Sequence, residues 1–127
     1  MKSQALRQRL GKLGEDLAIE YLRRKGYRIL ERNFKKHYGE IDIIALDPQK
    51  SGTVLVFVEV KARRGRSFGS PEEAVTPWKL HEVVRTAQYY KMLHPELPDA
   101  MRIDVIAIEL DPGYTLKYFN HIQNVTL

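Results

Sequence analysis

Apolar residues in the first part of the chain fall at Leu6, Leu10, Leu13, Leu17 and Tyr21. These steps of four, three, four and four follow the turn of a helix rather than the alternation of a strand. The spacing predicts one helix from about Ser3 to Lys25, stopped by Gly26. Its last turn holds Arg23, Arg24 and Lys25, where cations complement the helix dipole. The period then shortens. YRILERNF (27–34) and EIDIIAL (40–46) alternate as half-buried strands, and TVLVFVEVK (53–61) is apolar towards both faces, as expected of a strand covered on two sides. The turns HYG and DPQKSG join the three into an antiparallel meander. A Gly/Ser/Pro loop, GRSFGSPEEAVT (65–76), leads to Thr76 as N-cap and Pro77 at the first helical position. The helix they open runs to about Leu93, with Leu80, Val83, Val84, Ala87 and Tyr90 on its inner stripe. AMRIDVIAIEL (100–110) is a fourth strand that returns across this helix as a crossover, and DPG turns it into a last strand, YTLKYF (114–119). The expected fold is α/β: a mixed sheet flanked by helices, in the order αβββαβ with a C-terminal extra strand.

At 127 residues the chain fits a single domain, residues 1–127, and its 43% hydrophobic content is enough for an ordinary core. The absence of cysteine removes disulfide frameworks and thiolate metal sites, and fits a reducing, cytoplasmic setting. Nowhere do about 20 apolar residues run together, so no membrane span is expected. Lys and Arg outnumber Asp and Glu by 21 to 16. The excess is uneven: residues 95–127 carry two bases and five acids, whereas residues 1–94 carry nineteen and eleven. This bias points to a polyanionic partner, although basic residues spread over solvated faces give the same count.

The buried strand contains charges. Residues two apart share a strand face, so Glu59 and Lys61 point one way, as do Glu40 and Asp42 on the preceding strand. If the two strands pair face to face, Asp42, Glu59 and Lys61 converge near the loop after Lys61. Two carboxylates there make an oxygen-rich site suited to Mg²⁺ or Mn²⁺ rather than zinc. On the first helix Glu15 falls between Leu22 and Ile19, inside the apolar arc, while Asp16 falls among Arg9, Lys12, Glu20 and Arg23 on the solvent side. Each feature alone has a plainer origin: a same-face ion pair for Glu59-Val60-Lys61, a strand start for Gly39-Glu40, a snorkelling side chain for Glu15. Their order along the chain is what carries weight. Arg63, Arg64 and Arg66 follow Lys61 in a loop suited to gripping phosphates, and Lys35 and Lys36 belong to a second basic zone. Trp78 and the tyrosines sit at core periodicity, and the four histidines show no metal-ligand spacing.

GEDLAIEYLRRKGYRILERNF, GEIDIIA, VFVEVKARR, FGSPEEAV and RIDVIAI, in that order, resemble the YraN-like family of small bacterial proteins over nearly the whole chain. That family is in turn similar to the PD-(D/E)XK nuclease superfamily, close to the archaeal Holliday-junction resolvases. The resemblance implies a restriction-endonuclease-like fold, a metal-dependent phosphodiesterase site and a homodimer as one option. Carried over by position, the metal-binding Asp falls on Asp42, the Glu on Glu59 and the Lys on Lys61, with the backbone of Val60 as a further ligand. Glu15 matches the helical acid of the resolvase branch, and Gln88 a glutamine common in the helix after the core strand. Ile41 replaces the superfamily's leading proline. The implied activity is a Mg²⁺- or Mn²⁺-dependent endonuclease acting on DNA rather than RNA, on branched or flapped structures. The alternative is a nuclease-fold module that binds nucleic acid without cutting it.

Overall fold

The computed structural model describes residues 2–67 and 69–125, so Phe68 of the FGSPEEAV motif lies outside the described residues. Helix α1 (Lys2–Arg24) is followed by β1 (Arg28–Lys36), β2 (Gly39–Gln49), β3 (Gly52–Arg64), a single 3₁₀ turn (Glu72–Ala74), α2 (Pro77–Leu93), β4 (Met101–Leu110) and β5 (Leu116–Ile122). The five strands form one sheet in the order β1-β2-β3-β4-β5. β1, β2 and β3 pair antiparallel, β3 and β4 pair parallel across α2, and β5 pairs antiparallel to β4. A mixed α/β domain with one helix on each face of its sheet is therefore what the alternation predicts.

The two faces have separate cores. Val56 and Val58 of β3 join Ile43, Ala45, Ile106 and Ile108 beneath Ala18, Ile19 and Leu22 of α1. Leu55 and Phe57 join Ile44 and Phe34 beneath Val83, Ala87 and Tyr90 of α2. Buried from both sides, β3 is the central strand. Its α1 face also carries a buried ionic cluster. Arg102 donates two hydrogen bonds to Asp104, at 2.8 and 3.0 Å, and one each to Asp47 at 2.9 Å and Tyr27 at 2.8 Å. The ring of His121 bridges Asp104 at 2.8 Å and the Tyr21 hydroxyl at 2.9 Å. These contacts tie α1, β2, β4 and β5 together away from the basic loops.

Three boundaries differ from the sequence expectation. Residues 4–9 of α1 are exposed, and Leu6 is 45% accessible, because the helix runs past the sheet before its packing begins at Leu10. β3 continues to Arg64 rather than ending at Lys61. β5 starts at Leu116, because the Asp111 carboxylate accepts the N–H groups of Gly113 and Thr115 (2.8 and 2.9 Å) and holds Asp111–Thr115 as a turn.

Gly14 sets the depth at which α1 lies on β3. A Cβ there would stand 2.8 Å from the Cβ of Ala62, closer than two carbons approach without displacement. Replacing glycine with alanine inside a helix ordinarily stabilises by about 1 kcal/mol. Here the sign should reverse. Gly14→Ala is expected to lower stability by about 1–3 kcal/mol through overpacking, read as a lower midpoint in urea unfolding. An unchanged or higher midpoint would mean that α1 does not press on Ala62.

Candidate functional site

The β2–β3 ladder ends at the pair Ile43–Val58, and beyond it the two strands part. Asp42 occupies the parting: its Oδ2 accepts the backbone N–H of Val60 at 2.7 Å, so the carboxylate takes the place of a ladder carbonyl. Alternation fails at this point. Ile41 packs into the α2-side core and Ile43 into the α1-side core, although they are two residues apart. Opposite them on β1, Asn33 has φ 52°, a conformation that bends the strand. The Asp42 side chain thus lies between the faces, within electrostatic reach of Glu15 from the α1 side and of Glu40 and Lys79 from the α2 side.

Glu59 follows from β3 periodicity. It continues the row of Leu55 and Phe57 on the α2 face, is 4% exposed, and its Oε2 has no hydrogen-bond partner among the described residues. Lys61 and Arg63 extend the same row, both half-buried, and the Arg63 Nε is likewise buried without a partner. A strand residue directs its N–H and C=O to the same side, so the Val60 carbonyl faces the parting beside Asp42. Burial raises both carboxyls; the charges of Glu15 and Glu40 add to it at Asp42, against the hydrogen bond from the Val60 N–H, and that of Asp42 adds to it at Glu59, bringing Asp42 to about 6 and Glu59 to about 8. Lys79 and, for Glu59, Lys61 act in the opposite direction.

Glu15 reaches the same region from α1, with 16% of its side chain exposed and Arg32 at 3.7 Å. Burial raises its pKa, against the hydrogen bond with Asn33. Asp16 points outward as expected, its pKa lowered by the 2.8 Å hydrogen bond from Arg32. Among the described residues no three Asp, Glu, His or Cys side chains converge on one metal-ligand position. The Glu15 charge raises the pKa of Asp42 across the parting.

The basic residues divide between roles. Arg64 lies on the opposite face from Arg63, donates to the Pro112 carbonyl (3.0 and 2.6 Å) and covers the Tyr114 ring. Arg66 pairs with the buried Glu109. Of the three arginines, only Arg63 continues the Glu59–Lys61 row. Lys35 and Lys36 line a cavity of about 420 Å³ with Tyr38, Glu40, Lys79 and Glu82, and two of these, Glu40 and Lys79, act electrostatically on both carboxylates. Gln88 does not join them: it is exposed on the outer side of α2, in a smaller hollow with Tyr38, Arg85, Tyr89 and Met92. Lys79, which the sequence reading did not single out, faces the pair because the cap formed by Thr76 (Lys79 N–H to Oγ1, 3.2 Å) begins α2 at this edge. Its one sequence signal is its place beside Leu80 at the margin of the inner stripe.

The model of "Uncharacterised protein family UPF0102" matches residues 14–108, a span that contains every group described at the carboxylate site. Curated relatives match most of the chain. A UPF0102 protein of Syntrophomonas wolfei is 46% identical over 115 residues, 91% of this chain and 95% of the relative. One of Thermodesulfovibrio yellowstonii is 47% identical over 116 residues, 91% and 93% of the two chains. One of Persephonella marina is 46% identical over 98 residues, 77% and 81%.

Proposed function

We propose that this chain, which belongs to the family UPF0102, is a divalent-metal-dependent nuclease on a restriction-endonuclease-like fold, hydrolysing phosphodiester bonds in branched or flapped DNA in the cytoplasm. The observation that carries this reading is the pairing of half-buried Asp42 with buried Glu59 at the parting of β2 and β3, with one Glu59 oxygen left without a partner among the described residues. Two like charges out of water are costly unless something of opposite charge completes them. The donors are carboxylate and carbonyl oxygens, which fit Mg²⁺ or Mn²⁺, ions that keep several waters and need only one or two carboxylates.

Asp42, Glu59 and the Val60 carbonyl would hold the ion, and Glu15 would accept hydrogen bonds from its water shell on the α1 side. A bound ion of this kind polarises the phosphoryl oxygen and offsets charge on the leaving group. Lys61, next on the Glu59 row, would orient the attacking water and face the charge that builds on phosphorus. Arg63, one step further, is placed for the adjoining phosphate.

The rival reading is a binding module without catalysis, which the cations Lys35, Lys36 and Lys79 of the neighbouring cavity would serve equally well. Labelled linear, flapped and four-way DNA incubated with Mg²⁺ or Mn²⁺ separates the two. Cleavage that a chelator abolishes is expected. Retained DNA binding with no cleavage above that of an Asp42→Asn/Glu59→Gln/Lys61→Ala triple variant would replace the enzyme by the module.

A further inference from the structure

Trp78 is 73% exposed and Tyr38 is 42% exposed, against the sequence expectation that these rings belong to the core. Trp78 stands two residues before Leu80, about 200° round the helix from the inner stripe, so it must face outward when Leu80 faces inward. From Trp78 one outer stripe runs through Glu82, Arg85, Tyr89 and Met92, at steps of four, three, four and three. Tyr38 in the β1–β2 turn stacks onto this stripe. The Arg85 guanidinium lies 4.5 Å from the centre of its ring, and Tyr89 meets it edge-on at 6.1 Å.

Gly39 makes that contact possible. Its φ is +146°, and a Cβ there would meet Glu82 Cβ at 3.2 Å and Thr86 Oγ1 at 3.3 Å, so only glycine lets the turn sit this close to α2. The cavity beside the carboxylates and the hollow along α2 share Tyr38 as a wall. A continuous track therefore leads from Glu40 and Lys79 past Lys35 and Lys36 to Arg85 and Tyr89.

We propose that this track binds an unpaired nucleic-acid strand leading into the carboxylate site, with bases stacking on Tyr38, Arg85 and Trp78 and phosphates on Lys35, Lys36 and Lys79. The inference rests on the nucleic-acid reading above and narrows its substrate to one carrying a single-stranded arm. Four cations along the track, Lys35, Lys36, Lys79 and Arg85, outnumber Glu40 and Glu82, and Glu40 belongs with the carboxylate site. Exposed rings alternating with cations are what a flexible strand can use, since its bases offer free faces. Bases of a duplex are already stacked on one another and cannot reach the rings.

Trp78 is the sole tryptophan and stands one turn before Glu82 of the cavity wall, so its emission reports on that end of the track. Titration of a labelled oligothymidylate and of a duplex of equal length, with chelator present to prevent cutting, tests the proposal. The single strand is expected to bind about tenfold tighter than the duplex and to quench Trp78. Tyr38→Ala and Arg85→Ala should each weaken single-strand binding by about tenfold and leave duplex binding nearly unchanged. Lys36→Ala, which removes charge but no ring, should weaken both. Equal affinities, unquenched Trp78 with unaltered binding in Tyr38→Ala and Arg85→Ala, or no binding because the face serves a protein partner would overturn it. The cutting assay stands apart. A protein that binds single strands in this way without cleaving would retain the track and lose the nuclease reading, whereas one that cleaves with no effect of Tyr38→Ala or Arg85→Ala would do the reverse.

Discussion

Glu59→Gln is expected to lower metal-dependent cleavage by about a hundredfold or more while leaving most DNA affinity in place. The substitution conserves shape and removes only the charge that would hold the ion. Asp42→Asn should act alike for a more specific reason. The amide oxygen of asparagine can still accept the Val60 N–H, a bond of 2.7 Å in the wild type, so the parting of β2 and β3 survives while the anionic ligand is lost. Lys61→Ala should match them through loss of water orientation rather than loss of metal. Glu15→Gln should be equal or milder, depending on whether the ion's water shell needs the Glu15 charge that acts on Asp42 across the parting. Asp16→Asn should cut as wild type, because its carboxylate faces solvent and Arg32. Rates at saturating DNA, with affinities measured in chelator, check the series. Loss of binding in step with loss of cutting would turn the effect into one of folding or phosphate grip, and full cutting by Glu59→Gln would remove the proposed site.

How much of this site can be read from the sequence depends on whether strand alternation holds. Glu59 and Lys61 lie where period two puts them, because β3 is straight and covered on both faces. Asp42 is legible as a residue but not as a geometry. Alternation assigns it to a face, whereas the end of the ladder at Ile43 and the bend at Asn33 turn its carboxylate into the plane of the sheet. A non-glycine residue with positive φ leaves little trace in composition, so that bend is invisible beforehand. The arginines show the opposite case. Ending the third strand at Lys61 makes Arg63 and Arg64 neighbours in one loop, whereas a strand reaching Arg64 sends them to opposite faces and only Arg63 to the site. Gln88 fails on rotation, since it adjoins Ala87 on the side that leads away from β3. The Arg102 cluster joins residues as far apart as Tyr27 and His121, and no local pattern encodes such a meeting.

Without metal, the protein is expected to lose stability through this pair as pH rises from about 4 to about 8, and Mg²⁺ or Mn²⁺ should restore it most at the alkaline end. The sign follows from proton counts. Asp42 and Glu59 are raised in the folded chain, chiefly by burial, to about 6 and about 8, whereas in the unfolded chain both return to ordinary carboxylate values. Over that window the folded state holds protons that the unfolded state has already released, so raising the pH favours unfolding. Below the window both states are protonated and the penalty vanishes. Glu59→Gln cannot acquire the charge, so it should show a flatter pH profile and exceed the chelated wild type at pH 8.5 by roughly 2–3 kcal/mol. An ion must displace the same protons, so its affinity should climb between pH 5.5 and 8.5 and its binding should release protons. Urea unfolding at several pH values, with chelator or with Mn²⁺, measures all three quantities. A chelated wild type that gains stability from pH 5 to 8 relative to Glu59→Gln would show that the pair is not buried as described. Equal stabilisation by Mn²⁺ in wild type and in Asp42→Asn would place the ion elsewhere. The expected pattern, a variant more stable than its parent and unable to cut, would identify Glu59 as a residue whose burial costs the fold and serves the chemistry.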